Sequence, residues 1–359
     1  MNILYLNNSV HLGGDTKCIL KLCKGFNSKE NKIIIASNGG KMQNEFESIG
    51  ITHFKIGDVE DKSLINIIKT INKLKYIIKS ENIEVIHSHH RMTTLLAKIA
   101  SKFTGVKVIH TQHLCIKDKF KLTKLALKNL QTITVSDAAK RILIEKSNLN
   151  KENITTIYNT IETECKNKKV DNKLIDLKKK GYFIVAQVSR IIDYKGVYDF
   201  IEVAKQTNLE NQKIKFVLIG DGPELNNLRN TIKQNKLDEL IYLLGAKDNV
   251  IEHLKYIDLL LLCSYIEGLP LAPLEAFSQG IPVIATNING TNEEIVEGKN
   301  GYLVSTGDID KFKENILKLY SNRKLLEEMK KSSKKIYVEL FNEKLYMKKH
   351  IEIYYKIIS

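Results

Sequence analysis

The sequence predicts an α/β protein of two successive doubly wound domains, each a parallel sheet with helices on both faces. Three observations carry this expectation. Short Ile/Val-rich runs alternate with helical stretches from the first residues, and the same alternation restarts after residue 180. The chain has 359 residues, which suits two domains at roughly 150 residues each. Between the two series lies a charged, Lys-rich, strand-poor segment, Glu162 to Lys180, expected to be the inter-domain linker.

In the first series, strands are expected at 2–7, 32–37, 83–87, 106–110 and 131–135, with helices near 15–27, 63–80, 91–103 and 137–146. Along 63–80, Leu64, Ile67, Ile68, Ile71, Leu74 and Ile78 fall at helical spacing and read as a core stripe. The second series gives strands at 182–188, 214–219, 241–244, 257–262 and 282–285, with helices at 196–206, 223–234 and 271–279. A last helical, aromatic stretch runs from Glu343 to Ile358. The domains are accordingly expected at 1–163 and 164–342, with 343–359 returning to the first. Ligands of such sheets bind at the carboxyl ends of the strands, so the cleft between the domains is the expected site.

Composition excludes several classes. Hydrophobic residues make up 43% and charged residues 27%, which rules out disordered and collagen-like chains. No apolar run approaches the ~18 residues of a membrane span. The chain runs directly into a strand, Asn2 to Asn7, without a basic n-region. The five cysteines (Cys18, Cys23, Cys115, Cys165, Cys263) are odd in number and form no C-x-x-C pair. That argues against a disulfide framework or zinc ribbon and for the reducing cytoplasm.

The formal charge is +15, from 56 basic and 41 acidic residues. Residues 1–163 hold 25 basic and 14 acidic residues, so the excess (+11) lies mainly in the first half. Such a surface attracts polyanions: nucleic acid, an anionic membrane or phosphorylated ligands. Only five cations are Arg, and neither Arg forks nor interleaved aromatics are concentrated, so nucleic acid is not expected as a partner. The densest patch, Lys117, Lys119, Lys121, Lys124 and Lys128, lies on a helix-like stretch with Phe120, Leu122, Leu125 and Leu127. It suits an anionic membrane surface, or is simply a solvated face.

Three constellations carry chemistry. The stretch Ser264 to Thr286 follows a buried strand, turns at Gly268 and Pro270, and becomes helical near Leu271. The free N–H groups of such a first turn cradle phosphate. Glu267 and Glu275 flank the turn, and carboxylates grip the hydroxyls of ribose or hexose. The alternatives are a capping Glu267 and a solvated Glu275. Second, Arg190 and Lys195 in Ser189 to Gly196 follow the first strand of the second domain, where two cations can neutralise a departing diphosphate without a metal. The alternative is a pair of surface cations. Third, Gly220-Asp-Gly222-Pro223 is a strand–turn–helix junction open to close backbone approach, or merely a tight turn.

Taken together, these residues resemble the family 4 (group 1) glycosyltransferases of the bacterial cell-envelope and capsular type, which have the GT-B fold. The spaced pair Glu267/Glu275, the Arg190–Lys195 element, Gly220 to Pro223 and the Asn300-Gly301 turn match in order. So do Gly13-Gly14, Ile86 to His89 and Thr111 to His113 in the first domain. The resemblance implies two Rossmann-like domains facing across a cleft, with the final helix crossing back to the first. It also implies retaining transfer of a hexose from a nucleotide sugar, expected to be UDP-linked, to a glycan or lipid-linked acceptor, with no metal and no further cofactor.

By position, Glu267 then holds the hexose and Glu275 the ribose. Arg190 and Lys195 bind diphosphate, with the amides after Gly268, at Leu269 and Leu271, assisting. The base lies near Gly220, Gly222 and Pro223 and near Leu243 to Gly245. His113, and with it His89, faces the hexose, while Gly13 and Gly14 admit donor phosphate or acceptor. No first-domain carboxylate is placed to form a covalent intermediate, so front-side attack is expected, the departing phosphate taking the acceptor proton. The enzyme is expected in the cytoplasm, peripheral on the inner face of the plasma membrane.

The sequence departs from the family at Asn289 to Glu294, where a Gly and a Pro are missing, and at Asn159-Thr160, where Asn-Gly is usual. Asp308-Ile-Asp310 matches a metal-binding D-x-D pattern but opens a helix, so capping is the expected role. His87, His89, His90, His110 and His113 lack zinc-ligand spacing. The competing readings are a non-catalytic basic nucleic-acid-binding module and another GT-B enzyme, a phosphorylase or sugar-nucleotide epimerase.

Overall fold

The computed structural model describes residues 1–28, 30–163 and 169–358. Cys165 and the middle of the expected linker, 164–168, lie outside them. The chain divides into two compact units: residues 1–161 with the segment from Glu343 onward, and residues 162–342. The boundary falls between Ile161 and Glu162, against an expected 163/164.

The first unit runs β1 (Asn2–Leu6), α1 (Gly14–Phe26), β2 (Lys32–Ser37), α2 (Gln43–Ser48), β3 (Thr52–Lys55), α3 (Leu64–Ser80), β4 (Val85–Ser88), α4 (Arg91–Ser101), β5 (Lys107–Gln112), α5 (Phe120–Leu127), β6 (Gln131–Thr134), α6 (Asp137–Glu145) and β7 (Ile154–Thr156). Its seven strands are all parallel, in the order β3-β2-β1-β4-β5-β6-β7. The Ile-rich run of β2 is buried on both faces, which is why it contains no polar alternation. Two helix starts are fixed by hydroxyls: Ser63 Oγ accepts from Asn66 N before α3, and Ser136 Oγ accepts from Ala139 N before α6.

The second unit runs α7 (Asn172–Lys179), β8 (Phe183–Val188), α8 (Val197–Glu210), β9 (Ile214–Ile219), α9 (Leu225–Gln234), β10 (Ile241–Gly245), α10 (Val250–Leu254), β11 (Leu259–Leu262), α11 (Leu271–Ser278), β12 (Val283–Thr286), α12 (Thr291–Glu294), β13 (Gly301–Val304), α13 (Ile309–Ser321) and α14 (Arg323–Leu340). Six parallel strands follow the order β10-β9-β8-β11-β12-β13. In both sheets the chain leaves its first strand to one side and returns to the other. The switch points lie between β1 and β4 and between β8 and β11, where crevices open at the carboxyl ends of strands.

The last helix, α15 (Glu343–Ile358), belongs to the first unit. Tyr346, Ile353 and Tyr354 join Tyr5 and Phe26 in one apolar core, and Glu343 pairs with the buried Lys21 of α1 at 2.6 Å. Among the described residues no helix is long and apolar enough to cross a membrane.

Three expectations need correction. The described part of Glu162 to Lys180 is not all linker, because α7 packs as a helix. Its Lys178 Nζ reaches Asp258 at 2.6 Å, and Asp258 also accepts from Ile184 N. The α3 stripe is core along only part of its length: Leu74 and Ile78 are buried and the half-buried Ile67 and Ile71 pack against the same core, whereas Leu64 and Ile68 are 76% and 57% exposed. The basic helix starts late, at Phe120. Lys119 precedes it with φ 55°, so Lys117 and Lys119 lie off the helix.

Candidate functional site

The switch point of the second unit gathers most of the marked residues. β8 ends at Val188, and the chain continues through Arg190 into a short 3-10 turn, Asp193–Lys195, before α8. β11 ends at Leu262 and leads through Glu267 into α11. Lys195 Nζ lies 2.6 Å from Glu267 Oε1, with the side chains only 19% and 5% exposed. Glu267 therefore does not cap α11. That helix begins at Pro270 with no side-chain cap, so its first amides keep the partial positive charge of a free helix start. Glu275, one turn further, is buried at 6% rather than solvated. Gly268 and Leu269 are buried and Leu271 half-buried. Arg190 stands at the same strand end but is exposed, and its guanidinium makes no hydrogen bond or ion pair with the described residues.

Glycines let the loops of this edge touch backbone to backbone. A Cβ on Gly196 (φ +64°) would lie 1.9 Å from Cys263 O, joining the start of α8 to the end of β11. On Gly220 it would lie 1.9 Å from Ser189 O, and on Gly222 2.2 Å from Ile191 O. Gly220 N also donates to Gly245 O at 3.0 Å, so the two stretches expected around the base are held together. Pro223 beside them is exposed. Gly290 meets Gly268 O in the same way, at 2.3 Å. Only a residue without Cβ permits such approaches.

The departure at Asn289 to Glu294 has a structural answer. Thr291, where a Gly is missing, is fully buried and its hydroxyl donates to Thr286 O and Ile288 O, lacing the loop shut. Glu294 is braced through its backbone: Asn300 Nδ2 donates to Glu294 O at 2.9 Å. Its carboxyl is 1% exposed as a residue, and neither oxygen has a partner. Burial, and then the negative charge of Glu267, push its pKa well above the ordinary carboxylate range. Gln187 Oε1 and Ser264 Oγ, at the ends of β8 and β11, are likewise buried without partners. These two were not singled out from the sequence, although a Gln inside the apolar run Phe183 to Val188 is a readable signal.

In the first unit, the strand ends of β4 and β5 carry a histidine cluster. His89 Nδ1 lies 2.9 Å from His113 Nε2. His87 bridges Tyr354 OH of α15 (2.6 Å) and Thr111 Oγ1 (2.7 Å), and Tyr354 OH contacts Tyr5 OH at 3.1 Å. Burial lowers the pKa of His87, His89 and His113, and brings His110 to about 3 and His350 to about 4. The cluster is neutral at physiological pH. Gly13 precedes α1 in extended backbone, and the exposed Gly14 opens it, again without a side-chain cap. Among the described residues no group of three or more His, Cys, Asp or Glu is arranged to hold a metal. Asp308 caps α13, accepting from Lys311 N at 3.0 Å.

This geometry has close relatives. The model of glycosyl transferases group 1 matches residues 169–336, and that of Glycosyltransferase Family 4 matches residues 12–165. An Escherichia coli UDP-Gal:alpha-D-GlcNAc-diphosphoundecaprenol alpha-1,3-galactosyltransferase is 32% identical over 78% of this chain and 77% of its own. The N-acetyl-alpha-D-glucosaminyl L-malate synthase of Bacillus anthracis is 27% identical over 80% and 78%. Among solved structures, Anabaena HepE in complex with UDP-glucose superposes with a TM-score of 0.87 over 99% of this chain and 100% of that one, at 18% identity. Two matched domain models, a relative sharing nearly a third of its residues and the GT-B architecture agree: the chain belongs to the group 1, family 4 glycosyltransferases.

Proposed function

We propose that this glycosyltransferase moves a hexose from a UDP-sugar to a lipid-linked or other cell-envelope glycan acceptor, with retention of configuration and without a metal. The observation that carries the reading is the pairing of Lys195 with Glu267 beside the uncapped start of α11. It combines a cation and free amides for a diphosphate with a carboxylate for a sugar. The names of two relatives support the donor and acceptor classes: the E. coli enzyme uses UDP-Gal and a diphosphoundecaprenol-linked sugar, and HepE was crystallised with UDP-glucose.

In this reading the anomeric carbon–oxygen bond to the β-phosphate lengthens first, leaving positive charge on the sugar and negative charge on UDP. Lys195, Arg190 and the α11 amides stabilise the leaving diphosphate, the largest single contribution to lowering the barrier. Arg190, exposed at the same strand end, is free to reach it. Glu267 holds hexose hydroxyls and Glu275 the ribose. The acceptor oxygen attacks from the face that UDP leaves, and its proton passes to the departing phosphate oxygen. The first unit receives the acceptor, His113 and His89 face the hexose as neutral imidazoles, and the glycines 13 and 14 allow a phosphate close to the start of α1.

A thermal-shift screen of nucleotide sugars tests the donor site. A UDP-sugar should raise the Tm of the wild type and leave Glu275→Ala and Lys195→Ala unshifted; an equal shift in all three would refute the assignment. Product anomer analysis tests retention, and undiminished turnover in excess EDTA tests metal independence.

A further inference from the structure

We propose that the groove between α4 and α5 docks the enzyme on an anionic phospholipid bilayer, with Lys98, Lys102, Lys121, Lys124 and Lys128 meeting headgroup phosphates and Leu125 entering the acyl boundary. The groove has a volume of about 650 Å³, and these six residues line it together with Leu95 and Ile99. It holds five ammonium groups and no carboxylate. Among the described residues none of the five forms an ion pair. Lys98 is the anchored one: its ammonium donates to Leu125 O at 3.0 Å and Lys128 O at 2.7 Å, at the end of α5. Partial burial and the neighbouring Lys102 and Lys128 pull its pKa down, as uncompensated crowding demands.

A second lysine-lined groove on the same chain shows that composition alone does not produce this. Between α11 and α14, Lys330, Lys331, Lys334 and Lys335 line a groove together with Glu339, and there Lys330 meets Glu327 at 2.8 Å and Lys335 meets Glu339 at 3.9 Å. There two of the four ammonium groups are matched locally and a carboxylate lines the groove, whereas between α4 and α5 none is matched among the described residues and no carboxylate is present. The partner that fits the α4–α5 groove is anionic and has an apolar interior, because Leu125 projects 60% exposed from the midst of the lysines. Phe103, just beyond the end of α4, is 63% exposed under the ammonium of Lys75, 4.5 Å from its ring centroid. A Leu among lysines suits the headgroup–acyl boundary. It offers nothing for base stacking, and no Arg fork lines the groove. The inference rests on the proposed function only in that an acceptor on a polyprenyl chain brings the enzyme to a bilayer.

Co-sedimentation of the full chain with vesicles tests it. The wild type should bind phosphatidylcholine vesicles containing phosphatidylglycerol, not pure phosphatidylcholine, and should release at high salt. Substituting Lys121, Lys124 and Lys128 by Gln should weaken binding roughly 100-fold, at about tenfold or less per cation. Leu125→Ser should weaken it several-fold, and the Lys330/Lys331/Lys334→Gln variant should bind like the wild type. Both triple variants should keep the UDP-sugar thermal shift, which reports folding and the donor site separately. No binding of the wild type, binding untouched by the α5 variant, or full displacement by an RNA oligonucleotide with Leu125→Ser silent would each overturn the proposal.

Discussion

Lys195 Nζ and Glu267 Oε1 stand 2.6 Å apart, so the cation expected to meet a diphosphate and the carboxylate expected to meet a sugar are each other's counter-ion. Both charges are largely withdrawn from water, and each keeps the other from standing unpaired in a site of low dielectric. In the proposed reading a donor diphosphate shares Lys195 with Glu267 or draws it away, which releases carboxylate acceptor positions for sugar hydroxyls. On that reading the pair couples the two halves of donor recognition.

Removing the cation alone should be the most damaging change at the site. Lys195→Ala leaves Glu267 charged, 5% exposed and close to Glu294, and should cost about 3–5 kcal/mol, the range for breaking one side of a buried pair. Lys195→Ala/Glu267→Ala should be less destabilised than Lys195→Ala, though equally inactive. Urea unfolding of the three proteins checks this; a double variant no more stable than the single one would show that the pair carries no such coupling.

Glu294 should act on stability in the opposite sense. Its folded-state pKa is raised by burial and then by Glu267, so the folded chain retains a proton that the unfolded chain releases above about pH 4.3. Stability therefore falls as pH rises through that value, by up to about 1.4 kcal/mol per pH unit, until the buried carboxyl itself ionises. Glu294→Gln keeps the shape, removes the titration, and should be more stable than the wild type near pH 8 but not near pH 4. Melting curves at the two pH values decide, and an unchanged difference between them would contradict a protonated Glu294.

The sheets were legible because their central strands are continuous apolar runs: β2, β8, β9 and β11 read directly as buried parallel strands. Of the edge strands, β10 was read at 241–244, whereas β3, β7 and β13 were not. β3 (Thr52–Lys55) carries one apolar residue in four and β7 (Ile154–Thr156) is three residues long, too little signal for a period of two. α14 was missed because its buried face, Leu326, Met329, Ser333 and Tyr337, includes a serine among many lysines. At the site, the order of motifs pointed to Glu267, Glu275 and Lys195, of which the structure pairs Lys195 with Glu267 and buries Glu275. That order could not show that Lys195 turns inward while Arg190, five residues earlier, stays exposed, since that depends on the 3-10 turn between them. Ser264 stands out only through its unpartnered buried hydroxyl, and Gln187 through its unpartnered oxygen as well as its place in an apolar run.

The backbone contact at Gly196 should be separable from its left-handed conformation. Gly196→Ala suffers both a φ of +64° and a Cβ 1.9 Å from Cys263 O, whereas Gly181→Ala has a φ of +76° and open space. The control should lose about 1 kcal/mol, the ordinary cost of a left-handed alanine. Gly196→Ala should lose more than that, along with the UDP-sugar thermal shift, because the clash displaces Cys263 at the start of the loop that carries Glu267. Equal losses in the two variants would mean the loops adjust freely and the contact positions nothing.

The first unit should be acid-labile through its neutral histidines. His87, His89, His110, His113 and His350 all have folded-state pKa values lowered first by burial, His110 to about 3 and His350 to about 4. Below the unfolded value of about 6.5, the unfolded chain takes up protons that the folded unit refuses. Each such histidine then removes about 1.4 kcal/mol of stability per pH unit until its folded pKa is reached. Because His87 bonds to Tyr354 and His350 lies on α15, the last helix should be the element released as the cluster charges. Hydrogen exchange on α15 should rise steeply between about pH 6.5 and 5, and His350→Gln should lower the slope of stability against pH by close to one proton. Stability that stays level or climbs over that interval would show that these imidazoles are protonated in the folded chain, and that burial does not set their charge.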